Sequence, residues 1–173
     1  VPTHDFTLLL DRLPSDEDYD RLFEAGCDDA QPETSGDACL LHFMREAPTL
    51  AMAVVTALRD AETAGFTVTG LRAEDLVTLE GIAARVGRSE EDVRRLSAGE
   101  DGPGDFPAPV TDAPWALYRW DQVAPWFEQH PEEGEGAATF ERWIAAADHV
   151  IQARVLLVGD PSQDTLAEIL HAA

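Results

Sequence analysis

The sequence predicts an α+β fold in three units: a βαββαβ unit over residues 1–72, a helix-turn-helix followed by a β-hairpin over 73–130, and a helical pair over 131–173. Three observations predict it. Residues 1–72 read in the order strand, helix, strand, strand, helix, strand. The apolar set Ile82, Ala83, Val86, Val93 and Leu96 can share one small core only if the chain reverses near Gly87. Phe140, Trp143, Ile144, Ala147, Ile151 and Val155 recur at three- and four-residue spacing, as on an amphipathic helix.

Taken in order, residues 4–12 (HDFTLLLDR) form the first strand, and Pro14 and Ser15 head an acidic helix over 15–26 with Tyr19, Leu22 and Phe23 on its inner face. The cluster Thr34, Ser35, Gly36 and Asp37 is a turn between a short strand near 29–33 and a longer one near 38–46. Pro48 and Thr49 open a helix to about Ala64 whose face is Leu50, Val54, Ala57, Leu58 and Ala61. Gly65 ends it, and 66–72 (FTVTGLR) is the last strand. That order is the split βαβ, or ferredoxin-like, arrangement, with two helices on one face of a four-stranded antiparallel sheet. Pro32 in the second strand requires an edge position.

In the central unit Thr78 caps the first short helix and Ser89 the second, where Ser89 with Asp92 makes an acidic variant of the capping box. Gly87 supplies a position where φ > 0 costs little, and Ala83 lets the two helices approach closely. Almost no linker separates this unit from the sheet, so the two pack together. Residues 99–110 hold three Gly and three Pro and form a loop. Two short strands around Thr111, Asp112, Ala113 and Pro114 then make a wing, and Asp121 caps a helix over QVAPWFEQH. An acidic linker at 132–136 leads into the long helix. Gly159 to Ser162 break it, and DTLAEILHA forms a second helix with Leu166, Ile169 and Leu170 inward. So small a hairpin must bury its stripe on the other units or on a second copy of the chain, which predicts a homodimer.

The net charge is −22, from 34 acids against 12 basic residues, all of them arginine. Acidity on this scale repels nucleic acid at long range, because a carboxylate facing a phosphate releases no counterion. No apolar run approaches membrane-spanning length and no signal-peptide order is visible at the start, which predicts a cytoplasmic protein with no membrane partner. Cys27 and Cys39 are read as structural thiols. His4, His42, His130, His149 and His171 have no metal-ligand spacing and are read as surface or packing residues. Asp16, Asp18 and Asp20 start like a calcium loop, but Arg21 and Cys27 stand where glycine and a bidentate glutamate belong. No phosphate cradle and no nucleophile motif is present. The expectation is a protein without cofactor, metal or enzymatic activity.

The ordered set LVTLEGIAARVGRSEEDVRRLSAGEDGPGDFPAPV followed by LYRWDQVAPWFEQ, about residues 75–129, resembles the winged helix-turn-helix domains of the MerR and excisionase-like (AlpA-type) families of bacterial DNA-binding proteins. The resemblance implies transcription regulation by DNA binding, with the second helix in the major groove and the wing on the backbone. Carried onto this chain, the DNA-contacting residues are Arg88, Ser89, Glu90, Arg94, Arg95 and Arg119. The chain departs from the pattern at Glu90, Glu91 and Asp92, acids in the first turn of the recognition helix, which favour the helix dipole but oppose phosphate. Two readings therefore stand: a helix-turn-helix regulator that binds DNA weakly or with the help of a ligand or partner, and an acidic protein-interaction or DNA-mimic module that keeps the helix-turn-helix as a scaffold and binds a basic protein partner. A ligand-sensing role for the N-terminal unit is compatible with both.

Overall fold

Strand β1 (Thr3–Leu10) alternates a fully buried face, Phe6, Leu8 and Leu10, with a second face carrying Asp5, Thr7 and Leu9. It pairs antiparallel with β3 (Ala38–Glu46) on one side and β4 (Val68–Ala73) on the other, and β2 (Ala30–Ser35) closes the far edge, for the order β2-β3-β1-β4. The expected edge position of Pro32 is therefore found. Phe6 stacks on Phe43 at 5.2 Å between ring centroids, in a core that includes Leu8, Leu10, Leu41, Val68 and Leu71. The structure, a computed structural model, describes residues 1–173 apart from 112–115, 135, 162–164, 166–167 and 169–173.

Helix α1 (Asp16–Ala25) follows β1, and α2 (Leu50–Thr63) links β3 to β4. A complete capping box starts α1: Ser15 Oγ accepts from the Asp18 amide, and the Asp18 carboxylate accepts from the Ser15 amide at 2.9 Å. Its inner face differs from the expected one. Leu22 is buried with Asp18, whereas Tyr19 is 39% and Phe23 67% exposed. Asp18 turns inward because Arg12, Arg21 and Ser15 all donate to it, and that rotation carries Tyr19 and Phe23 to solvent. Helix α2 is capped by Thr49 and buries Ala53, Val54, Ala57 and Ala61, with Leu50 and Leu58 packed alongside. Gly65 follows it at φ 91°, as the helix stop requires.

Arg45, the only long cation turned to the inner face of β3, ties this layer together. It donates to both oxygens of Asp29 at 2.7 and 2.9 Å, to Asp60 of α2 at 2.7 Å and to the Gly26 carbonyl at the end of α1 at 2.6 Å. Burial disfavours its charge, but the bonds to Asp29 and Asp60 outweigh burial and raise its pKa above the ordinary arginine value. Burial likewise pushes the Cys27 thiol up to about 12, so this cysteine is a packed, unreactive side chain.

The chain runs from β4 into β5 (Leu76–Val77), α3 (Leu79–Val86) and α4 (Glu90–Ser97) without a tether. The region after the Gly/Pro loop departs from the expected hairpin. Among the described residues a single backbone bond joins the two sides, Val110 to Leu117, residues 107–110 form no strand, and 112–115 lie outside the described residues. Instead β6 (Tyr118–Arg119) pairs antiparallel with β5, extended by a bond from the Trp120 amide to the Asp75 carbonyl. Helix α5 (Trp120–Gln129) also begins two residues earlier than expected: Arg119 holds the cap position without a side-chain capping bond, and Asp121 sits in the first turn. Burial of Trp120 and its bond to Asp75 decide that start in place of a carboxylate cap.

Helix α6 (Gly136–Leu156) buries Ala137, Phe140, Ile144 and Ile151 within the same core, with Trp143 and Ala147 packed against it. It runs along β4, whose outer edge would otherwise be bare, and the Asp148 carboxylate accepts from the Leu71 amide at 2.8 Å. The expected second helix over 164–172 falls largely outside the described residues. No described helix is long and apolar enough to cross a membrane.

Two outcomes follow from the charged groups of this layer. Arg45→Ala leaves Asp29 and Asp60 without their cation and should cost about 3–5 kcal/mol, read as a lower urea midpoint. Asp18 has a carboxyl held well below its ordinary value, first by Arg12 and then by Ser15 and Arg21. Its contribution is thus complete above pH 3.8 and drains as pH falls below that value. Thermal melts of Asp18→Asn should be lower than wild type at neutral pH, and the gap should narrow toward about pH 3.

Candidate functional site

The helix pair α3–α4 is built by local rules. Thr78 Oγ1 accepts from the Gly81 amide at 3.1 Å, and Ser89 Oγ accepts from the Asp92 amide at 3.1 Å. The box at Ser89 is only half formed, since the Asp92 carboxylate takes the Ser89 hydroxyl at 2.7 Å and not its amide. Gly87 ends α3 in the left-handed region at φ 71°, and its amide and that of Arg88 both return to the Ala83 carbonyl. Val93 and Leu96 are buried in the core that holds Ile82, Ala83 and Val86. Glu90, Glu91, Arg94 and Arg95 are left facing solvent.

The six residues carried over for DNA contact meet different fates. Arg88 turns away from α4, donating to the Glu132 carbonyl at 2.6 Å and lying 3.7 Å from the Glu133 carboxylate, in the short 3₁₀ turn Pro131–Glu133. Ser89 is occupied as a cap, and Glu90 is exposed in the first turn. Arg94 pairs with Glu91, Arg95 with Asp101 at 2.8 Å, and Arg119 with Asp121 at 3.2 Å. Each of these four arginines therefore has an acidic partner inside the chain. The pairs of Arg94, Arg95 and Arg119 are between exposed side chains, worth about 0–1 kcal/mol each, so a stronger anion can displace the carboxylate.

Arg85 behaves differently. It stands on the inner side of α3, buried, with its guanidinium over the rings of Trp120 at 4.6 Å and Phe140 at 4.5 Å, which meet edge to face. It donates to the main-chain carbonyls of Glu74 at 3.1 Å and Asp5 at 3.3 Å, and its Nε has no partner. Burial pulls its pKa down to about 10, against the opposing pull of Asp5 and Glu141. The start of α6 touches the same residue: a Cβ on Gly136 would collide with the Arg85 carbonyl and with the Val86 backbone.

A second polar assembly lies on the open face of the sheet. Register aligns Gln31, His42, Thr7 and Arg72 in one row across all four strands. His42 Nδ1 lies 2.8 Å from Glu74 and 3.1 Å from Thr7 Oγ1, and Nε2 lies 2.9 Å from Glu33. Thr7 also donates to Glu74, so it is no nucleophile activated by His42. These residues floor a 770 Å³ cleft between the sheet, α5 and α6, whose lining holds seven carboxylates, among them Glu74, Asp75, Glu128 and Glu141, against the single arginine Arg72. In the sequence His42 has only the alternation of β3 to mark it as facing away from the core; its partners lie 9 to 35 residues away.

Comparison with protein-family models, with curated proteins and with solved structures gives no match to this chain. In the Gly136→Ala variant the added methyl meets an overpacking penalty of about 1–3 kcal/mol, and at the first residue of α6 little helix propensity is gained to offset it. Net destabilisation is the expected outcome in urea unfolding, because the colliding atoms are backbone and cannot swing aside.

Proposed function

We propose that this chain is a helix-turn-helix regulator that binds DNA through α4, with a ferredoxin-like βαββαβ sheet and α6 as its support and the β5–β6 region in the place of a wing. The observation that carries this reading is the division of α4: Val93 and Leu96 seal it onto α3, while Arg94 and Arg95 stand outward and exposed. The resemblance of residues 75–129 to the MerR and excisionase-like domains points the same way. Intrinsic affinity is low on this reading, because Glu91, Asp101 and Asp121 already hold the three arginines that would meet phosphate. Binding as a homodimer to paired half-sites would raise it.

The test is fluorescence polarisation with a labelled DNA duplex at low salt. Arg94→Ala with Arg95→Ala should abolish binding, and each phosphate contact should contribute about −0.9 to the slope of log affinity against log salt. Glu91→Gln with Asp101→Asn frees both arginines and should strengthen binding about tenfold. Absence of any polarisation change for the wild type and for this charge-relieved pair would overturn the proposal.

A second reading is favoured by the pairing of every arginine on this face with an acid: α4 and its surroundings bind a basic protein partner. The same substitution separates the two readings by sign. Glu91→Gln weakens capture of an arginine-rich peptide in calorimetry if the partner is basic, and strengthens DNA binding if the partner is a nucleic acid.

A further inference from the structure

We propose that the 770 Å³ cleft between the open face of the sheet, α5 and α6 is a binding site for a linear diamine or polyamine, ammonium groups joined by an aliphatic chain. The inference stands apart from the DNA reading and rests on a pattern that both helical walls repeat. Helix α5 turns Asp121, Ala124, Pro125 and Glu128 to the cleft, and α6 turns Glu141, Ile144, Ala145 and Asp148 to it. Positions i, i+3, i+4 and i+7 share one helix face, so each wall carries a carboxylate at either end of two turns and two apolar residues between them. Seven residues at a rise of 1.5 Å set the two carboxylates of a wall about 10 Å apart along the helix. A single small cation meets one end only. A chain with a cation at each end and methylenes between them meets the whole face.

The floor continues the apolar middle with Leu40 of β3, Ala73 of β4 and Leu76 of β5, the last left 47% exposed. An apolar groove of this size with a few charged groups at its ends has the proportions of a small-molecule site. Charge complementarity chooses the occupant. Glu33, Glu74 and Asp75 bring the carboxylates of the cleft to seven. Against them stand Arg72 and His42 in the cleft, Arg119 beside Asp121, and the buried Arg85 behind Glu74, Asp75 and Glu141, so the acids are in excess even with His42 charged. The carboxylates of the walls remain open to a ligand. Glu128 accepts no hydrogen bond among the described residues, and Asp121 is held only by its exposed pair with Arg119, worth about 0–1 kcal/mol. Glu141 takes the Trp120 indole and Asp148 takes the Leu71 amide and Gln152, which leaves each with unused lone pairs. The acids are spaced and do not converge: among the described residues no three acidic, histidine or cysteine side chains close on one point as a metal ion needs. A nucleic acid or a second copy of the chain brings charge of the same sign.

Titration calorimetry on the full chain at low salt tests this with three probes. They are 1,8-diaminooctane, 1,2-bis(2-aminoethoxy)ethane, which has the same span and charge but two oxygens in its spacer, and octylamine, which lacks the second ammonium. The first should bind at one saturable site, and each of the others at least about tenfold more weakly. Loose counter-ion attraction to an acidic chain would instead treat the two diamines alike. Asp121→Asn with Glu128→Gln removes both charges of the α5 wall at exposed positions and should weaken 1,8-diaminooctane at least about tenfold. Asp20→Asn with Glu24→Gln makes the same change of charge at exposed positions of α1, in the helical layer on the other face of the sheet, and should leave the affinity as it is. Lack of saturable heat with 1,8-diaminooctane, equal binding of either other probe, or an equal effect of the two double variants would overturn the assignment.

Discussion

A buried guanidinium held by two main-chain carbonyls is the point on which the parts of this chain converge. Arg85 belongs to α3, bonds to carbonyls at the start of β1 and just past β4, and is clasped by aromatic rings from α5 and α6. Such a group is stable only while all these neighbours are in place, because water cannot replace them once it is buried. The helix pair is thereby part of the sheet's own core. Arg45 does the equivalent inside the first layer, where it binds two carboxylates and a helix end together. With so few cations in so acidic a chain, two of the best-anchored ones serve as internal ties.

What the sequence made legible was set by range. Thr78, Ser89 and Gly87 act on residues three or four positions away, and all three do what their residue types imply. Alternation in β1 and β3 identified the core face, and the order of elements identified the antiparallel sheet. Misreadings arose where a distant partner overrode a local pattern. The apolar residues of α1 suggested that Phe23 turns inward, but Arg12 lies outside that helix and draws Asp18 in instead. Asp121 has the residue type of a cap, and the contact of Trp120 with Asp75 decided the helix start. The His42 cluster and the Arg85 clasp combine residues up to 80 positions apart, and no periodicity announces such meetings.

The charge of α4 separates fold from function. Acids in its first turn stabilise a helix N-terminus, so Glu90, Glu91 and Asp92 argue for the helix as strongly as Val93 and Leu96 do. On the proposed DNA-binding reading, Glu91 of that turn and Asp101 of the loop after it would compete with phosphate for Arg94 and Arg95. A surface of this kind holds its cations in reserve: the pairs are exposed and weak, and the occupant that displaces them must offer denser negative charge than a carboxylate.

The covering of β4 by α6 has a consequence for assembly. The Leu71 amide, which an edge strand would otherwise present to a neighbour, is already taken by Asp148, and at the opposite edge Pro32 has no amide to give. Each border of the four-stranded sheet thus carries one position that cannot accept an added strand from another molecule, a local guard against edge-to-edge growth.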